Sequence, residues 1–149
     1  MNRKVATVAI ALFFLLLAIP TVSRAAKVPA PVVKVKTVAT ATQGGILVKI
    51  VVKNQGKKTI SFEHSSGLLF DYELLDKNKN VLYRWSQDKY FIQMMTTTTL
   101  KRGKRLTFSD SIQTENEEAF LNQAVYIRAY IGGTNDFIKK KGYLAKIKR

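Results

Sequence analysis

The chain contains no cysteine, which excludes disulfides, zinc–thiolate centres and thiol catalysis together. Histidine occurs once, at His64, and acids are scarce, so hydrolase and metalloenzyme readings have little to build on. No G-x-S-x-G stretch is present, and Ser65-Ser66-Gly67 beside His64 reads as a turn rather than a nucleophile with its base. Asp71, Asp76 and Asp88 are too scattered for a calcium loop. Gly44-Gly45 and Gly132-Gly133 lack the strand–helix setting of a phosphate cradle and read as turns. No catalytic set, metal, cofactor or small-molecule substrate is therefore expected. What the 149 residues do hold is 46 % apolar and 23 % charged composition, enough for one globular domain. They carry 25 Lys and Arg against 10 Asp and Glu, a formal +15.

The first residues read as an address. Met1-Asn2-Arg3-Lys4 is followed by an apolar run from Val5 to Ile19, then Pro20, then Ser23 and Ala25 at the small-residue positions a peptidase requires. The expectation is a cleavable signal peptide over residues 1–25 and an extracytoplasmic, secreted or envelope-associated protein. An uncleaved anchor is the rival, but the run is short for roughly 30 Å of hydrocarbon. Cleavage would remove Arg3, Lys4 and Arg24 and no acid, taking the charge from +15 to +12. Residues 26–31 (AKVPAP) read as a linker, leaving 32–149 as the domain.

From there the sequence alternates with period two. Ile46, Val48, Ile50 and Val52 share one strand face, with Lys49 and Lys53 on the other. Leu68, Phe70, Tyr72 and Leu74 form a second row opposed by Asp71 and Glu73, and Val81, Tyr83 and Trp85 a third opposed by Arg84 and Ser86. Leu106 and Phe108, then Val125 to Ile131, then Tyr143 to Ile147, continue it, and Met94–Leu100 with its threonines reads as an edge strand. Asn54–Lys57, Asp76–Asn80 (Asn80 taking positive φ), Lys101–Lys104 and Gly132–Asp136 supply turns. Thr114 and Glu117 have capping-box spacing, so one helical turn or a solvated loop follows. Strands at this spacing predict an all-β, antiparallel sandwich of seven to nine strands.

The run Ser66–Asp76, with Val81–Ser86, Phe91-Ile92-Gln93 and Leu100–Gly103, resembles the BsuPI-like intracellular proteinase inhibitor domain. The likeness extends upstream to the Asn54 turn and downstream to Tyr126–Tyr130, covering Gly45 to Ile131. This chain departs from the family pattern in lacking a glycine near Asn80, in carrying Arg102 for the turn proline, and in carrying Lys104 for the acid after it. The resemblance implies an immunoglobulin-like β-sandwich and inhibition of a proteinase. The family's "intracellular" label stands against the export signal.

Asp71 and Arg84 fall on the sheet face opposite the aromatic rows, where a structural cross-strand ion pair is the plain reading and a partner contact the sharper one. Trp85 reads as a core anchor, or as a binding hot spot if exposed. Ser86–Gln93 (SQDKYFIQ) is the candidate contact loop: Tyr90, Phe91 and Ile92 would touch a partner such as a serine protease, braced by Trp85. The bland reading has Phe91 and Ile92 merely closing an open end of the core. Lys34 and Lys36, Lys57-Lys58, Lys101–Arg105 and the tail Lys139–Arg149 form basic patches. Nucleic acid is excluded as a partner by the export signal; anionic cell-wall polymer or a membrane surface is the second hypothesis, and plain solubility the bland one.

Overall fold

A computed structural model of the chain describes residues 32–113 and 118–149. The signal peptide expected over 1–25, the linker over 26–31 and the Thr114–Glu117 capping box lie outside the described residues. Nine strands and one helical turn follow in order: β1 (Val33–Thr42), β2 (Gly45–Asn54), β3 (Ile60–His64), β4 (Phe70–Leu75), β5 (Val81–Arg84), β6 (Thr96–Leu100), β7 (Arg105–Gln113), α1 (Glu118–Leu121), β8 (Tyr126–Ile131) and β9 (Tyr143–Lys146). All the paired strands run antiparallel, in three hydrogen-bonded groups of order β1-β2-β7, β3-β6 and β5-β4-β8-β9. This is the all-β sandwich the alternation predicts.

β2 shows why the layers form. Ile46, Val48, Ile50 and Val52 are buried while Leu47, Lys49 and Lys53 face outward, so the strand covers the core with one face only. Gln43 and Gly44 turn β1 into β2, pairing Thr42 with Gly45. A Cβ on Gly45 would collide with the Ile112 carbonyl of β7, which makes glycine obligatory there. The core they close joins Val48, Ile50 and Val52 of β2 to Phe62, Tyr72, Leu74, Leu100, Ile127 and Ile147. Truncating Leu74, which is fully buried, would cost about 2–5 kcal/mol. The last residues run beside β1: Ala41 N–H donates to the Lys148 carbonyl at 2.8 Å and Lys148 N–H to the Ala39 carbonyl at 2.9 Å. That contact covers part of the free edge of β1.

Several local expectations change. β5 ends at Arg84, leaving Trp85 at the start of a turn, and Val81 is exposed. β6 begins at Thr96, so Met94 and Met95 lie in the preceding irregular segment. In the β4–β5 hairpin Lys79, with φ 68°, takes the left-handed position expected of Asn80. Asn80 instead donates its backbone N–H at 2.8 Å and its Nδ2 at 2.9 Å to the Asp76 carboxylate. Those bonds, the Asn80 side chain foremost, hold Asp76 below the usual carboxylate range. β4 departs furthest: Asp71 and Glu73 are buried along with Tyr72 and Leu74, so the strand is covered on both faces.

Candidate functional site

Two neighbouring strands cover those acids with cations. Arg84 stands opposite Glu73 in register and reaches diagonally to Asp71, its Nε 2.9 Å from Oδ2. Asp71 also accepts Ser86 Oγ at 2.7 Å and the N–H groups of Tyr72 at 2.8 Å and Ser86 at 3.2 Å. Four donors on one buried carboxylate fix the turn that follows β5. Glu73 accepts Arg128 Nη1 at 3.2 Å and Tyr130 Oη at 2.8 Å from β8, with Arg84 Nη1 at 3.5 Å. Burial, reinforced by the bond to Glu73, pushes the Tyr130 phenol above its ordinary value. The hydrogen bond to Asp71 is the main reason the Arg84 guanidinium holds its proton still more firmly.

The turn anchored by Asp71 presents Trp85, half-buried. Its N–H donates to the Tyr72 carbonyl at 3.0 Å and its ring stacks on Phe70 at 4.5 Å between centroids. Phe70 stacks in turn on Phe108 of β7 at 4.8 Å, so an aromatic ladder runs outward from the core. Phe91 adds the last rung, 5.8 Å from Trp85, and Lys89 Nζ lies 5.0 Å over the indole. Two tight turns, Gln87 N–H to the Arg84 carbonyl and Lys89 N–H to the Ser86 carbonyl, carry the chain away from β5. Gly67 N–H then donates to the Ile92 carbonyl at 2.8 Å.

The segment 86–95 is thus tied at Phe91 and at the Ile92 backbone. Between and beyond those ties its side chains project: Tyr90 is fully exposed, Ile92 is 77 % exposed, Met95 71 % and Met94 55 %. Ile92 points out rather than into the sandwich edge, leaving Phe91 as the inserted residue. The expected set Trp85, Tyr90, Phe91 and Ile92 therefore divides into two anchors, Trp85 and Phe91, and two projecting residues. Met94 and Met95 extend the projecting row; a strand reading of Met94–Leu100 hid them. A notch of about 210 Å³ opens beside the loop between Trp85, Lys89 and the Asp110–Gln113 end of β7. Glu73, Arg128 and Tyr130 were also missed, although Arg128 and Tyr130 stand two apart on the strand that pairs with β4.

His64 is the last residue of β3, just before the Ser65-Ser66-Gly67 turn, and is buried. Its Nε2 shares a 2.8 Å hydrogen bond with Thr98 Oγ1 of β6, and Phe62 packs edge-on at 5.1 Å. Burial pushes its pKa below the ordinary value; the Gly132 carbonyl pulls the other way without closing a hydrogen bond on Nδ1. Among the described residues no group of three or more His, Asp or Glu side chains could hold a metal ion.

The geometry is an exposed apolar row on a segment pinned at Phe91 and at the Ile92 carbonyl. Comparison with known proteins bears on its use. Curated proteins offer no match to the sequence. Among solved structures the chain is similar to a DUF1425 family member from Shewanella sp. pv-4, at 12 % identity and a TM-score of 0.42, over 70 % of this chain and 80 % of that one. The family model for BsuPI, described as intracellular proteinase inhibitor, matches residues 33–127, from the first strand into β8. With that match spanning well over half its length, the chain belongs to the BsuPI intracellular proteinase inhibitor family.

Proposed function

We propose that this protein inhibits a serine protease by reversible occlusion, with the segment 86–95 laid against the target's cleft. The observation that carries the reading is the combination of Tyr90 and Ile92 projecting with Phe91 and the Ile92 carbonyl pinned. An inhibitor loop must keep its bound shape before docking, because order imposed on docking subtracts from affinity. Here stiffness comes from the Phe108–Phe70–Trp85–Phe91 ladder and the Asp71 hub rather than from disulfides, which the sequence cannot form. Tyr90 supplies a rigid amphipathic contact, and the methionines adapt to an irregular surface. In this reading residues 1–25 direct export and the target lies outside the cytoplasm.

A panel of subtilisin-like and chymotrypsin-like proteases titrated with the chain tests it. One or more should be inhibited at a one-to-one ratio. Tyr90→Ala and Ile92→Ala should each raise the inhibition constant on the order of tenfold, the usual cost of a central contact, without changing the melting temperature. Inhibition that is untouched by both substitutions would place the contact elsewhere.

A further inference from the structure

The outer face of the β1-β2-β7 sheet carries charge of one sign. Alternation puts Lys34 and Lys36 of β1, Lys49 and Lys53 of β2, and Arg105 of β7 on that face, all exposed. Register sharpens the pattern: Lys34 pairs with Lys53 and Lys53 with Arg105, so three cations stand side by side across three strands. Neighbouring strands lie about 4.8 Å apart, and like charges directly opposite one another destabilise a sheet. No other outward position of the face, from Val38 and Thr40 through Leu47 and Val51 to Ser111 and Gln113, is acidic. Asp110 turns inward to accept the Tyr72 hydroxyl at 2.6 Å.

The row continues around one corner. Asn54, fully buried at the end of β2, donates through Nδ2 to the carbonyls of Lys58 at 2.9 Å and Leu100 at 2.8 Å. Its backbone N–H donates to the Lys104 carbonyl, and its own carbonyl accepts Gly103 N–H, both at 3.0 Å. One residue, through side chain and backbone together, thereby locks two turns, bringing the exposed Lys57, Lys58, Lys101, Arg102 and Lys104 up to the Lys34–Lys53–Arg105 row. Among the described residues no acid is ion-paired with any of these ten cations. Solubility alone is served by scattered charges of both signs, and edge protection alone by lysines on β1 and β7, whereas Lys49 and Lys53 occupy the central strand.

We infer that this face and its Asn54-locked corner dock on an anionic phospholipid surface. Charge complementarity calls for phosphate, and the shape calls for a plane: a three-stranded sheet face with no aromatic side chain offers neither the groove nor the stacking platform that a single polyanionic strand uses. Val32, more than half exposed and two residues before Lys34, suits the apolar side of the headgroup layer. The site is independent of the loop 86–95, and its loss would leave protease inhibition standing.

The test is co-sedimentation of the full chain with phosphatidylcholine vesicles and with vesicles containing one-third phosphatidylglycerol, read as the difference between the two so that any contribution of the apolar run cancels. The anionic vesicles should bind more tightly, with the preference fading as salt rises. Lys34→Gln, Lys53→Gln and Arg105→Gln combined should weaken that preference on the order of a hundredfold, about fivefold per cation. The matched triple Lys77→Gln, Lys79→Gln and Lys89→Gln, of equal net charge but on the β4–β5 hairpin and the loop after it, should leave it within threefold. Equal losses from the two triples would reduce the effect to net charge and overturn the assignment. So would capture by a soluble glycerol-phosphate polymer without preference between the vesicles.

Discussion

Buried polar groups decide most of what single residues do here. Asp71 and Glu73 alternate with Tyr72 and Leu74, so by pattern they belong on a solvated face. Alternation records which side a residue takes, not whether that side is covered, and here Arg84 from one neighbour and Arg128 and Tyr130 from the other cover it. The Asp71–Arg84 pair was legible from two alternating rows joined by a hairpin, whereas Arg128 and Tyr130 pair with Glu73 from far along the chain on β8 and leave no local trace, so that half of the network was not. His64 is a second such group and carries a prediction. Its folded pKa is depressed below 6.5, so folding favours the neutral ring. The resulting stability is present above pH 6.5 and is lost as pH falls through the lower folded value. Of its neighbours Glu63, adjoining it on β3, is charged, whereas Thr98 from β6 and glycines 132 and 133 beyond β8 are not. Melting temperature should therefore drop as pH falls below 6.5 in the wild type, and His64→Phe should flatten that slope. Parallel slopes would assign the acid loss to other groups.

At the scale of elements, strands were legible because their apolar residues recur every second position over four or more residues, as in Ile46–Val52 and Ile127–Ile131. Their ends were less so. Trp85 keeps the period of β5 yet begins a turn, because Ser86 bonds to Asp71 and draws the chain off the sheet. Met94 and Met95 adjoin a threonine run of high strand propensity and were absorbed into it, although the pairing of His64 with Thr96 marks where the ladder stops. Aromatic density singled out the loop; which rings face inward required the ladder of Phe70, Trp85 and Phe91. That division makes the loop testable as an element. Phe91→Ala removes a rung and should cost about 1–3 kcal/mol for a half-buried ring. It should also speed amide exchange across 86–95 while raising the inhibition constant. Tyr90→Ala should raise the inhibition constant alone, with exchange and melting unchanged. Identical behaviour of the two variants would mean that the segment is not pinned where the geometry pins it.

Across the whole molecule, the basic corner with its Lys34–Lys53–Arg105 row and the loop 86–95 lie at opposite ends of the strands. Arg105 opens β7 at the Asn54 corner, while Asp110–Gln113 at its other end walls the notch beside Trp85 and Lys89. At about 3.3 Å per residue the separation along β7 is roughly 17–26 Å. β6 agrees: Leu100 meets Asn54 at the basic corner, and Thr96 receives the loop at the far end. A domain lying with its basic face on phospholipid would therefore leave Tyr90 and Ile92 clear of the surface, and a protease could be engaged without release. Saturating anionic vesicles should accordingly leave the inhibition constant within threefold of its value in solution, and the triple Lys34, Lys53, Arg105 variant should inhibit as well as wild type. Salt should separate the two activities further, since attraction to phosphate is screened over about 8–10 Å at physiological ionic strength while an apolar loop contact is not. Mutual exclusion, with vesicles displacing the protease in proportion to lipid bound, would mean that the charged face and the loop serve one surface rather than two.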